Sequence, residues 1–174
     1  MKGVLAFASI VALSLVTPGL LFAQGNTEVG TWTLNVAKSK YVGQQAPKNE
    51  TRIYEVTYAG VKVSVDGVAG DGSRILYTYT TKYDDKDSPI YLALAGVGDV
   101  ADAAEGIGTP NGADTIAVKR VDADTTTATL KKAGKVVQTT TTVISGDGKI
   151  MTITSKGTNE QGKPTTVTTV WDKQ

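Results

Sequence analysis

The sequence predicts an all-β protein whose strands form an antiparallel up-and-down meander that closes into a small barrel. Apolar residues recur at every second position along most of the chain, whereas apolar stripes with a helical period are nearly absent. Short links rich in Gly, Asn and Asp join these segments, and such links pair each strand with its neighbour. About eight to ten strands would leave two exposed sheet edges, and closure removes them. A two-sheet sandwich would give the same alternation and is the alternative.

The alternation also predicts which side chains face the interior. Trp32, Leu34 and Val36 share one face of the first predicted strand, and Tyr54, Val56 and Tyr58 share one face of the second, which directs Glu55 to solvent. Tyr77 and Tyr79 continue the pattern after a Gly-Asp-Gly turn. The predicted strands cover residues 31–36, 54–58, 61–65, 75–79, 113–121, 125–132, 135–144, 149–156 and 164–171.

One segment breaks the alternation. Residues 91–112 are rich in Ala and Gly and contain no basic residue, and Asp99 predicts the start of a short helix over residues 100–105. Long loops inside compact domains are usually functional lids or lack order. The sequence leaves both interpretations open, a lid over a barrel mouth or a loose insertion.

The N-terminal residues have the three-part layout of a secretory signal peptide. Lys2 supplies the positive charge, residues 4–16 form an apolar run, Pro18-Gly19 interrupts it, and Ala23 is suited to a signal peptidase. We predict cleavage between Ala23 and Gln24, no membrane span, and a secreted or periplasmic protein whose residues 24–174 form one domain.

Composition excludes several functional classes. The chain has no His and no Cys, so imidazole bases, thiolate nucleophiles, disulfides and nearly all zinc sites are excluded. Without Lys2, 17 of the 18 basic residues remain against 17 acidic ones, a balance that argues against nucleic acid as a partner. The cluster of three acidic residues within 84–87 predicts a solvated turn. Asp99, Asp102 and Glu105 predict the solvated face of a helix. We therefore expect a monomer without metal or cofactor that is not an enzyme.

Gly30-Thr31-Trp32 at the head of the first predicted strand resembles the G-x-W motif of the lipocalin and fatty-acid-binding-protein (calycin) superfamily. The last hairpins and the closing Trp171-Asp172-Lys173 are similar too, and residues 30–41 (GTWTLNVAKSKY) resemble the opening of secreted bacterial proteins. The resemblance implies that Trp32 closes one end of the barrel beneath a ligand cavity. Residues 167–171 contain no Arg, so a fatty-acid head-group site is not carried over.

These observations lead to an expected function. We expect binding of a small apolar or amphipathic ligand inside the barrel. Arg120 either reaches solvent at a strand end or stacks on Trp32 as lipocalins arrange it. The alternative is an envelope or extracellular interaction module with a filled barrel, and the cavity volume separates the two. The predicted ligand-binding residues are Trp32, Tyr54, Tyr58, Tyr77, Tyr79, Arg120 and Trp171.

Overall fold

A computed structural model of the protein describes residues 27–92, 107–158 and 162–174. The predicted signal peptide lies outside the described residues, as does the predicted helix of residues 100–105. Both stay predictions.

The described residues form twelve strands and one short 3-10 turn, η1, which spans Pro110–Gly112. The strands are β1 (Gly30–Val42), β2 (Asn49–Thr57), β3 (Gly60–Val68), β4 (Arg74–Thr81), β5 (Asp84–Pro89), β6 (Tyr91–Leu92), β7 (Ile107–Gly108), β8 (Thr115–Arg120), β9 (Thr125–Lys132), β10 (Lys135–Ile144), β11 (Ile150–Thr158) and β12 (Pro164–Lys173).

The strands form one sheet that curls into a nearly closed barrel, which confirms the predicted fold class. Within β1–β4 and within β8–β12, consecutive strands pair antiparallel, and β12 pairs antiparallel with β1. The remaining seam lies beside β4, which pairs with the two-residue strands β6 and β7, while β5 pairs with β8 instead. The β4–β7 pair is parallel, the exception among these ladders.

The nine strands predicted from alternation correspond to β1 to β4 and β8 to β12. The prediction of a turn at residues 84–87 is wrong, because these residues belong to strand β5. Most of the β5 side chains are exposed, so the strand carries no apolar alternation to reveal it. A cross-strand ion pair stabilises it instead, with Lys131 Nζ 2.8 Å from Asp87 Oδ1.

Strand β1 is longer than predicted because it contains a bulge. Its register against β12 shifts between Asn35 and Lys40, where the hydroxyl of Ser39 accepts a hydrogen bond from the Val170 amide at 3.0 Å. Because of these extra residues, the alternate side chains of β1 that face inward before the bulge face outward after it, and the others face inward. Val36, predicted to face inward, is therefore exposed, whereas the Tyr41 side chain reaches the interior.

The apolar core surrounds Trp32 and extends to Tyr77, Ile153 and Trp171, which also line the cavity described below. Inward residues of most strands contribute, as alternation on a pleated sheet requires. The buried members are Trp32, Leu34, Tyr54, Val61, Val63, Val65, Tyr77, Tyr79, Ala113, Ile116, Val118, Leu130, Ile144, Met151, Ile153 and Trp171.

Candidate functional site

One end of the barrel is closed by Trp32, whose side chain is 0% exposed. Its indole Nε1 donates a hydrogen bond to the main-chain carbonyl of Glu28 at 2.8 Å. The Glu28 carboxylate is itself buried and accepts hydrogen bonds from the Tyr83 hydroxyl at 2.6 Å and from the Thr126 hydroxyl at 3.1 Å. The segment before β1 is thus attached to β9 and to the β4–β5 turn, and this end is sealed.

Of the two alternatives for Arg120, stacking on Trp32 is wrong. The guanidinium carbon of Arg120 lies 4.2 Å from the ring centroid of Tyr83. The cation over Trp32 is instead Lys173, whose Nζ lies 5.1 Å from the ring centroid and donates to the Thr27 carbonyl at 3.1 Å. Lys173 pairs directly with Trp32 across the β1–β12 ladder, and this register brings its side chain to the ring.

The other half of the barrel contains a cavity of about 300 Å³. Its rim consists of three segments: the β1–β2 connection, the β3–β4 turn, and residues 108–111. A second cavity of about 50 Å³ lies deeper, and Arg52 and Tyr77 line both, so they mark where the two meet. The deeper space has room for a few waters at most.

The η1 turn packs closely against the β10–β11 pair at the rim of the cavity. Asn111 Nδ2 donates to Gln138 Oε1 at 2.9 Å, above the β10–β11 pair. A Cβ on Gly157 would lie 3.0 Å from Asn111 Nδ2 and 2.6 Å from the Val137 carbonyl oxygen, so glycine is required there. Residues 108–111, the described end of the insertion, therefore form part of the cavity wall. The predicted lid stays a prediction, because residues 93–106 lie outside the described part of the chain.

A buried ion pair forms the polar centre of the cavity. Arg52 donates to Glu50 Oε1 through Nε at 3.0 Å and through a terminal nitrogen at 2.9 Å, and the two side chains are only 17% and 10% exposed. The Arg52 guanidinium carbon lies 4.7 Å from the ring centroid of Trp171, within the range of a cation–π contact. Burial opposes the charge on Arg52, but the facing Tyr77, Glu50 and Tyr54 raise its pKa well above the ordinary value.

Strand parity explains why this pair lies inside. Glu50, Arg52 and Tyr54 occupy alternate positions of β2 and share its inner face. Gly67 of β3 lies directly opposite Glu50, and a Cβ on it would come within 2.9 Å of the Glu50 Cα, so only glycine fits without a shift. Extending the inward set back from Tyr54 in steps of two would have located both charged residues.

Counting forward from Tyr54 in the same steps of two does not give inward-facing residues. Val56 is exposed at the end of β2, and Tyr58 lies in the β2–β3 turn with its side chain 109% exposed. The ladder between β1 and β2 ends at Tyr54, although β2 stays paired with β3 as far as Thr57. Tyr58 therefore does not line the interior, and its predicted place there is wrong. Glu55 is exposed, as predicted.

Arg120 lines neither cavity, whereas the remaining five predicted site residues are buried inside the barrel at different depths. Trp171 and Tyr77 line the 300 Å³ cavity, whereas Tyr54 and Tyr79 line only the deeper one. Trp32 lines neither and belongs to the sealed end. Whether any of these residues contacts a ligand stays a prediction.

Tyr41 is an additional cavity residue that alternation alone did not reveal. Its hydroxyl is buried and is the one such side-chain atom in the described residues without a hydrogen-bond partner. Burial raises the pKa of Tyr41, the nearby Ser39 side chain opposes the rise and the charge of Glu50 adds to it, so the phenol stays protonated at neutral pH. Tyr41 therefore presents a free O–H to the cavity that Arg52 and Glu50 also line.

The buried tyrosines predict alkaline sensitivity. Burial raises the pKa of Tyr77 to about 12, and burial also raises the pKa of Tyr54 and Tyr79. Between the unfolded value near 10 and the folded value, the unfolded chain releases protons that the folded protein retains, so stability is full below about pH 10 and falls above it. For Tyr77 alone the complete loss amounts to roughly 2–3 kcal/mol.

Urea unfolding between about pH 8 and pH 11 measures this effect. We expect a flat free energy of unfolding at first and then a decline, with tyrosinate absorbance rising as the protein unfolds. Tyr77→Phe should remove part of the slope. A stability that stays constant to about pH 11 would contradict the prediction.

In the described residues no group of three or more His, Cys, Asp and Glu side chains could hold a metal ion. None of the helices described in this part of the chain has the length and apolar character needed to cross a bilayer.

Comparison with known proteins shows similarity to solved structures but to no known sequence family. No family model and no curated protein matches the sequence. Among solved structures, the chain is similar to the crystal structure of zebrafish ileal bile acid-binding protein in complex with cholic acid. The identity is 12%, the alignment covers 85% of this chain and 99% of that chain, and the TM-score is 0.45. A similarity of this size identifies no ligand for this chain.

Proposed function

We propose that this protein is an exported, non-catalytic binding protein that holds one small amphipathic molecule in the open half of its barrel. The observation that carries the proposal is the cavity of about 300 Å³ opposite the end sealed by Trp32. This volume lies at the lower end of the range of about 300–1,000 Å³ found for small-molecule sites. The ligand is therefore small.

The cavity wall suits a molecule with an apolar body and a polar group. Tyr77 and Trp171 provide aromatic surface, while Arg52, Glu50 and the free Tyr41 hydroxyl provide hydrogen-bonding groups. Apolar walls with a few convergent polar groups are typical of ligand sites.

The absence of common catalytic side chains from the sequence is consistent with binding without catalysis. It has no His and no Cys, and the buried acid of the cavity, Glu50, is engaged by Arg52. Export rests on the signal-like residues 1–23, and the proposed class agrees with the G-x-W resemblance at Trp32. The alternative, a filled barrel that acts through its outer surface, fits the packed half around Trp32 but leaves the open half without a role.

A cavity-filling variant tests the proposal. Ser155 on β11 lines both cavities, so Ser155→Phe should place a ring in the space that the ligand needs. We expect at least about a tenfold loss of affinity for a neutral fluorescent probe, N-phenylnaphthylamine, which is more than 1 kcal/mol of binding free energy. The measurement is fluorescence titration of the purified protein.

Thr166→Phe is the matched control, because Thr166 is exposed on the neighbouring strand β12 and pairs with β11. It should bind the probe as the wild type does. Circular dichroism checks that both variants keep the β-sheet. If folded Ser155→Phe binds the probe as tightly as the wild type, the cavity is not the binding site.

A further inference from the structure

We propose that the cavity selects an uncharged ligand whose polar group is a hydroxyl, and that Glu50 rejects a carboxylate in the same position. This inference rests on the proposed function and specifies the ligand class of that same site. It is carried by three features of the cavity: its charge balance, its hydrogen-bonding groups, and the geometry of the ion pair.

The charge of Arg52 is already neutralised from inside the protein. Its guanidinium donates two hydrogen bonds to one carboxylate oxygen of Glu50, at 3.0 and 2.9 Å. Bonds of this kind, with both partners ionised, are among the strongest that side chains form. A ligand carboxylate next to Arg52 would have to compete with Glu50 or lie beside it, and like charges in contact cost several kcal/mol.

The other charged groups around the cavity do not offset this repulsion. Arg74 lines the rim, but its guanidinium lies 3.5 Å from Asp66 Oδ2, and the two side chains are 50% and 60% exposed. Water and salt screen such a pair. On the deeper side, Arg52 shares the smaller cavity with a second buried acid, Glu28. Among the described residues that line the two cavities, both arginines, Arg52 and Arg74, already face an acidic side chain, and neither is left as a partner for an added anion.

The hydrogen-bonding groups match a hydroxyl. Tyr41 offers a donor, because its buried O–H has no partner. Glu50 lines the same cavity and offers an acceptor. A ligand hydroxyl can accept from Tyr41 and donate to Glu50 at the same time, whereas an ionised carboxylate can only accept.

The test compares two ligands of equal chain length, octanol and octanoate, as competitors of N-phenylnaphthylamine. Glu50→Gln removes the negative charge but keeps the shape of the side chain and an oxygen that can accept from Arg52. We expect the apparent affinity for octanoate to rise at least about tenfold in this variant, because the repulsion is gone and Arg52 is freed. The affinity for octanol should change by less than about threefold.

Glu55→Gln is the matched control, since Glu55 lies on the outer face of the same strand and is exposed. It removes the same charge and should alter neither affinity. An unchanged octanoate affinity in folded Glu50→Gln would overturn the inference. If that variant does not fold, the wild type still decides, because stronger displacement by octanoate than by octanol contradicts the inference. Failure of the proposed function has a different signature: the probe itself would not bind to the wild type.

Discussion

Replacing Trp32 by alanine should lower the free energy of unfolding by about 3–5 kcal/mol, as for other large buried aromatic residues. The side chain is 0% exposed and seals one end of the barrel. Its removal leaves a void and also leaves the buried carbonyl of Glu28 without its indole donor. Urea unfolding followed by the fluorescence of Trp171, the second of the two tryptophans, measures the loss.

Tyr58→Ala is the control for an aromatic deletion, because Tyr58 is 109% exposed in the β2–β3 turn. It should change the stability by no more than about 0.5 kcal/mol. A loss below about 1 kcal/mol for Trp32→Ala would mean that the barrel end closes without the indole, contrary to the packing described.

Breaking the buried ion pair of Arg52 and Glu50 should lower the free energy of unfolding by a similar amount. Arg52→Met leaves the Glu50 carboxylate buried without its cation, and removing one partner of such a pair typically costs about 3–5 kcal/mol. The side chains are only 17% and 10% exposed, so solvent compensates little. The double variant Arg52→Met/Glu50→Leu should recover most of the loss, because well-packed apolar residues replace buried ion pairs at little cost. Urea unfolding of the three proteins gives the comparison.

The exposed pair of Arg74 and Asp66 supplies the control for the loss of an arginine. Arg74→Met should cost about 0–1 kcal/mol, the range for exposed pairs. If Arg52→Met costs no more than Arg74→Met, the interior admits enough water to solvate Glu50, and the charge argument for ligand choice fails as well.

Alternation of apolar residues predicted the fold because each strand has one face inside and one outside. It placed Trp32, Tyr54, Tyr77, Tyr79 and Trp171 inside correctly. The same rule missed the polar centre, since it treats charged residues as outward and so leaves Arg52 and Glu50 unassigned. Counting back from Tyr54 in steps of two would have placed both residues on the inner face of β2.

Two further errors have identifiable structural causes. A bulge in β1 exchanges the faces of Val36 and Tyr41, and no apolar pattern encodes an unpaired residue. Arg120 stacks on Tyr83 because Tyr83, in the β4–β5 turn, bonds to Glu28 and so lies at the sealed end. That contact joins residues 55 positions apart in sequence and has no local signal.

The pairing of β12 with β1 also determines the order in which the fold can be completed. The hairpins β2–β3–β4 and β9–β10–β11 join neighbours in sequence, whereas the contact of Lys173 with Thr27 spans 146 positions. The loop-closure entropy of that distance must be overcome before the contact stabilises anything, which is why β-barrels fold slowly. Strand β1 and Trp32 thus stay unpaired on one side until β12 arrives, and in that interval the chain exposes an open edge to other copies of itself.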